Sequence, residues 1–167
     1  MNSRRLENDY ERLRLLCARS PAFVQIDRAV GRPPNAYYLT LRCRGVAGLG
    51  EAGPQYRGEH KVEIILGADY PFSPPGVTVT TPVFHPHIWA NNRVCIGDWI
   101  GTEFLDLLVR RLFRILQYDP QYLDATSVAN WEAQRWAAGH RSLFPLGTEL
   151  VAEEPVVPRI RFTPTDL

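Results

Sequence analysis

Lysine is nearly missing from this chain, with Lys61 standing alone against eighteen arginines. Charge of one sign is missing too. The formal net charge is +1, so no field points to nucleic acid, a membrane surface or a highly acidic substrate. No apolar run approaches the roughly 20 residues that a membrane span requires. The opening stretch MNSRRLENDYERLRLL is charged throughout and does not fit a secretory h-region. Cysteine is sparse and odd in number, and Cys17, Cys43 and Cys95 lack the spacing of a metal or redox motif. They read as independent thiols in a reduced, cytoplasmic setting. The chain shows no internal repeat and no low-complexity block.

What is there suffices for one domain with a real core: 167 residues, 45% hydrophobic and 11% aromatic. Residues 4–19 predict an amphipathic helix with Leu6, Tyr10, Leu13 and Cys17 on one stripe, ended by Ser20-Pro21. Residues 23–26 predict a short strand. Residues 36–44 predict a longer one, with Tyr37, Leu39, Leu41 and Cys43 alternating onto one face. That places Cys43 in the core as an inert thiol. A glycine-rich connection over 45–58 leads to strands at 60–66 and 77–80, and His60 reads as a surface or strand position. Four strands in succession suggest an antiparallel meander.

Five prolines between residues 71 and 86 exclude a helix or a central strand and require a rigid, extended segment. Residues 103–118 then predict a central helix, apolar around most of its circumference, with Thr102 as N-cap and Asp119-Pro120 as its stop. A further helix is expected over 127–138, with Val128, Trp131 and Arg135 along one side. Pro145, Pro155, Pro158 and Pro164 mark the remainder as extended. The expected class is α+β, with a domain over residues 1–140 and a proline-containing tail over 141–167.

Within this order stand Tyr70-Pro71-Phe72-Ser73-Pro74-Pro75-Gly76-Val77, then His85-Pro86-His87-Ile88, then Arg93-Val94-Cys95-Ile96. Together these segments resemble the ubiquitin-conjugating (E2) enzyme family, whose signature is Y-P-F-x-P-P-x-V, H-P-N-I and an acceptor cysteine eight residues past that asparagine. His87 and Cys95 are eight apart. The resemblance runs in order from residue 4 to about 125. It implies the ubiquitin-conjugating fold: an N-terminal helix, a four-stranded antiparallel meander, a cysteine loop, a central helix and one further helix. It implies no cofactor. The partners it implies are a ubiquitin-like modifier, an E1-like activating enzyme and a protein substrate.

Carried over by position, Cys95 is the acceptor thiol, and His85 and Pro86 are the structural pair of its loop. Asp124 falls where many members place an acidic residue beside the cysteine. Its alternative is a helix N-terminal acid ahead of Ser127. Phe72 matches a ligase-docking position, and the N-terminal helix, with Arg4 and Arg5, matches the surface that meets the activating enzyme. Arg110, Arg111 and Arg114 form the polar side of the central helix, either a solvated face or a cradle for the modifier. The lysine shortage fits first a GC-rich genome, and beside it an enzyme that carries an amine-reactive group.

His87 departs from the family, which has asparagine there. A ring N–H can still donate to an oxyanion. The connection from Cys95 to the central helix is shorter than in typical members, and the match fades beyond residue 125. These departures resemble divergent bacterial E2-like proteins, some of them encoded in phage-defence operons. Three rivals stand beside this reading: an inactive binding or scaffold variant of the fold, a metal site built from His85, His87 and Cys95, and a cysteine hydrolase. Trp89 and Trp99 are expected to pack the cysteine loop down.

Overall fold

The alternation of residues 36–44 becomes the centre of the sheet in the computed structural model, which describes residues 3–124 and 126–152. Strands β1 (Val24–Gly31), β2 (Pro34–Leu41), β5 (His60–Ile65) and β6 (Gly76–Val79) form one antiparallel sheet in the order β1-β2-β5-β6. Register puts Tyr37, Ile64 and Val77 in one row, and Leu39, Val62 and Val79 in another. All six are buried, at 2% exposure or less. Period-two alternation thus gives one apolar face and one wet face. On the wet face Lys61 Nζ donates to Thr40 Oγ1 at 2.6 Å and pairs with Asp27 Oδ2 at 3.1 Å.

The expected meander is present, but the glycine-rich connection inside it is not a loop. It forms a separate two-stranded hairpin of β3 (Gly45–Gly50) and β4 (Gly53–Arg57). Its first glycine is required by contact: a Cβ on Gly45 would lie 2.6 Å from His60 Nε2. His60 is accordingly not a surface residue but fully buried, and burial lowers its pKa to about 4.

Helix α1 (Ser3–Arg19) and helix α2 (Leu105–Leu116) pack with the inner face of the sheet into one core. Leu6, Leu13 and Leu16 come from α1; Leu105, Leu108, Val109, Leu112 and Phe113 come from α2. The start of α2 differs from expectation. Thr102 does not cap it, and the residue at the N-cap, Phe104, has no side-chain cap. The free N–H of Leu105 is taken by Asp9 Oδ1 of α1 at 3.0 Å. Asp9 is wholly buried, and its other oxygen accepts from Arg5 Nε at 2.8 Å and from the Tyr70 hydroxyl at 2.7 Å. A bidentate Arg12–Asp106 pair, at 2.8 and 2.9 Å, adds a second link between the helices.

After α2, Tyr118 takes the left-handed conformation (φ +60°) usually left to glycine. Its full burial and the hydrogen bond from its hydroxyl to Phe84 O at 2.5 Å offset that strain. Helix α3 (Trp131–Gly139) starts four residues later than expected, capped by Asn130 Oδ1 on the N–H of Ala133 at 3.0 Å. Its inward face is Ala133, Trp136 and Ala137; Trp131 and Arg135 point outward instead. Trp136 joins Tyr118, Val46, Phe84 and Phe144 in a second small core.

Beyond a 3-10 turn at Arg141–Leu143, the chain returns across the helices. Gln117 Nε2 donates to Thr148 O, and its Oε1 accepts from Thr148 N. Val151 N donates to Ser20 Oγ, at the end of α1. The rest of the expected tail, 153–167, lies outside the described residues. Among the described residues no helix is long and apolar enough to cross a membrane.

Candidate active site

Cys95 owes its position to a short extended segment that runs against the residues before it. Ile88 and Val94 form an antiparallel bridge, and Cys95 N donates to His87 O at 2.7 Å. Val94 N also bonds Val77 O, which fastens the segment to β6. Val94 and Ile96 are buried, and Cys95 between them is half-buried, as alternation requires. The turn that reverses the chain, residues 89–92, closes through Asn92 N to Trp89 O and uses the left-handed conformation that asparagine tolerates. Gly97, at φ +75°, turns the chain away immediately after the cysteine.

The three thiols are thus set apart by environment. Cys43 is buried beneath the sheet, and burial pushes its pKa up to about 12. Cys17 is half-buried on α1, and burial raises its pKa as well. Cys95 opens into a cavity of about 140 Å³ lined by His87, Asp124, Ser127, Gly97, Gln121 and Tyr122, among others.

The histidine pair lies under this cavity. His85 is fully buried against Tyr118, with ring centroids 4.5 Å apart, and its Nδ1 accepts the His87 main-chain N–H at 3.0 Å. Burial lowers the His85 pKa to about 3, so the ring is neutral. His87 is 5% exposed, and its Nε2 accepts the Asp124 main-chain N–H at 3.1 Å. The neutral ring must then carry its proton on Nδ1. An oxyanion donor on this ring would have to be Nδ1–H and not Nε2–H. Both rings also spend a lone pair on a main-chain N–H, which leaves neither, as neutral imidazole, a free nitrogen for a metal.

Asp124 is exposed. Its carboxylate accepts from Thr126 N at 2.7 Å and from Thr126 Oγ1 at 2.8 and 2.9 Å. These bonds, the main-chain one first, hold its pKa below the usual carboxylate value. It therefore does not cap α3, which begins at Trp131. Ser127 was expected only as the start of a helix. Its Oγ stands 3.3 Å from Cys95 Sγ, a contact that no local pattern announces.

Other expected site residues take different places. Phe72 is 90% exposed, and Arg4 is exposed on α1. Arg5 points inward: besides Asp9, it donates to Tyr70 Oη, to Gly101 O at 2.6 Å and to Glu103 O. The arginines of α2 are not a simple solvated face either. Arg110 donates to Val151 O at 2.6 Å, and Arg114 pairs with Asp119 at 2.7 Å. Arg111 donates to Ile96 O and Asp98 O and pairs with Glu103. Trp99 does pack the loop down, through Nε1 to Pro71 O at 2.8 Å and the Tyr70 ring at 5.8 Å. Trp89 stays 44% exposed.

A family model described as "Ubiquitin-conjugating enzyme" matches residues 45–118. The chain is 25% identical over 133 residues to "Ubiquitin-conjugating enzyme E2 T" of Xenopus laevis, covering 68% of each. It is 27% identical over 116 residues to "Ubiquitin-conjugating enzyme E2 S" of Dictyostelium discoideum, covering 65% of this chain and 53% of that one. Among solved structures, a ubiquitin conjugating enzyme from Trypanosoma cruzi superposes with a TM-score of 0.62 at 20% identity, over 87% of this chain and 95% of that one. A fold of helix, four-stranded meander, cysteine segment and central helix, with Cys95 at the mouth of a cavity eight residues past His87, agrees with these matches: the chain has the fold of ubiquitin-conjugating enzymes, and its residues 45–118 are similar to theirs in sequence.

Proposed function

We propose that this protein accepts a ubiquitin-like modifier from an E1-like enzyme as a thioester on Cys95 and transfers it to an amine of a protein substrate. In the first step the Cys95 thiol attacks the modifier's C-terminal acyl group. The new thioester forms as the activating enzyme's thioester breaks, and the proton of Cys95 passes to the departing thiol. This exchange is nearly isoenergetic and asks mainly for an accessible sulfur. In the second step a substrate amine loses its proton and attacks the same carbonyl. The amide forms, and Cys95 leaves as a thiolate that is then reprotonated.

The observation that carries this reading is one cavity shared by Cys95, His87, Asp124 and Ser127. Lysine titrates near ~10.4 in water, so the arriving group is an ammonium. The exposed Asp124 carboxylate suits it as an attractor and first proton acceptor. His87 serves this reading best by holding the Asp124 main chain. Its donor to an oxyanion, if it supplies one, is Nδ1–H. The exposed Phe72 and Arg4 fit docking of a ligase and of the activating enzyme. A cytoplasmic setting in a bacterial conjugation operon directed against phage belongs to the same proposal. It is supported only by the histidine at position 87 and the short connection from Cys95 to α2.

The test is a loading assay with an E1-like enzyme, its modifier and ATP. Wild type should form an adduct that thiol removes. Cys95→Ser should form none, or an ester that resists thiol. A thiol-sensitive adduct on Cys95→Ser would sink the proposal.

A further inference from the structure

The main chain that follows Cys95 is held by a side chain from another element. Arg111 Nη1 donates to Ile96 O and to Asp98 O, each at 2.8 Å. Its Nη2 meets both carboxylate oxygens of Glu103, at 2.6 and 2.5 Å. Glu103 and Arg111 side chains are only 7% and 19% exposed. One planar guanidinium thus gathers two carbonyls and a carboxylate along residues 96–103, a fork that lysine cannot reproduce. Between the two held carbonyls lies Gly97, in the left-handed conformation where the segment would hinge.

The energetics say what such a pair is good for. An ion pair this withdrawn from water gains little net stability over an apolar pair of similar volume. What it supplies is geometry. Arg111 rises from α2, whose inward face (Leu108, Leu112, Phe113) is locked in the core. The segment after Cys95 is thereby referenced to a helix embedded in the core.

We infer that Arg111, oriented by Glu103, is a positioning residue for Cys95: it fixes residues 96–98 so that the thiol stays at the cavity mouth beside Ser127. The purpose assigned to the clamp rests on the proposed conjugating function. Its geometry does not.

The test uses full-length protein with Arg111→Lys and with the double change Glu103→Leu/Arg111→Leu, which removes the clamp without leaving a buried charge unpaired. The first readout is iodoacetamide alkylation of Cys95 relative to Cys17 in the same tube, measured on peptides. It needs no partner. The second is single-turnover discharge of the loaded protein to free lysine. The double variant should raise the Cys95:Cys17 ratio by about threefold or more and slow discharge by about 10- to 100-fold, because a misplaced reacting group loses rate steeply. Arg111→Lys should fall between it and wild type. General loosening of the domain would expose both thiols and leave the ratio unchanged. An unchanged ratio, or an unchanged discharge rate beside a raised ratio, overturns the assignment. If the double variant does not fold, Arg111→Lys decides by the same ratio. Failure of wild type to load at all defeats the conjugating function, while the ratio still decides the clamp.

Discussion

The main-chain N–H of Asp124 donates to Nε2 of His87 at 3.1 Å, tying a buried ring to the loop on the far side of the Cys95 cavity. The bond requires a neutral ring, because an imidazolium has no acceptor. Asparagine offers a carbonyl oxygen for the same N–H, whereas alanine offers nothing. His87→Ala should therefore speed hydrogen exchange at the Asp124 amide, lower stability by about 1 kcal/mol and slow discharge. His87→Asn should keep most of all three. An alanine variant that discharges at the wild-type rate removes His87 from the chemistry.

Asp124 separates charge from turn formation. Asp124→Asn keeps an oxygen for the Thr126 N–H and loses the charge; Asp124→Ala loses both. Discharge to free lysine should slow in both, with loading from the E1-like enzyme unchanged, because loading involves no ammonium. Wild-type discharge by the asparagine variant would mean that the charge is not used. The folded-state pKa of Asp124 is lowered, so its stabilising contribution is present above the unfolded value of about 3.9 and is lost as pH falls through the folded one.

At the start of α2, the two candidate caps make opposite forecasts. Asp9→Ala removes the partner of Arg5, Tyr70 and Leu105 at once. It should cost about 3 kcal/mol or more, as breaking a buried charge pair does. Thr102→Ala should stay within about 0.5 kcal/mol. Denaturant midpoints at constant m-value check both.

Acid should unfold this protein through its histidines before its carboxylates. His60 and His85 titrate near 4 and 3 in the fold, against about 6.5 in the unfolded chain. Their neutral forms cost nothing above pH ~6.5. Below it the unfolded chain binds protons that the fold refuses, so stability drops by about 1.4 kcal/mol per pH unit for each ring. The drop ends near pH 4 for His60 and near pH 3 for His85. His60→Leu should roughly halve the slope between pH 6 and 4.5 in urea titrations. An unchanged slope would show that His60 protonates in place.

Residues whose partners lie close in sequence, or whose pattern repeats, were legible from the start. Tyr37, Leu39, Leu41 and Cys43 announce the inner face of the sheet by alternation, and the apolar circumference of residues 105–116 announces the central helix. The hairpin over 45–57 was not legible, because glycine spacing looks alike in a loop and in strands that pack close against His60. Asp9 could not be read as a cap, since the N–H it serves lies 96 residues away. Separation in sequence likewise hid Ser127 from Cys95, 32 residues away, and Arg5 from Gly101, 96 residues away. Arg111 illustrates the general reason. A charged residue on a helix pattern reads as solvated, and only the folded loop reveals that its hydrogen bonds are already taken.

The Asp27–Thr40–Lys61 ladder on the wet face of the sheet has a practical consequence for mapping complexes. Its ammonium is the only side-chain amine in the chain, and it is engaged on both sides. Within this sequence, an amine-directed cross-linker or biotin ester can therefore reach one side chain, Lys61. Any side-chain amine cross-link to a partner has one known end, Lys61. Lys61→Arg removes that handle, so a cross-link lost in this variant had its anchor on the wet face of the sheet.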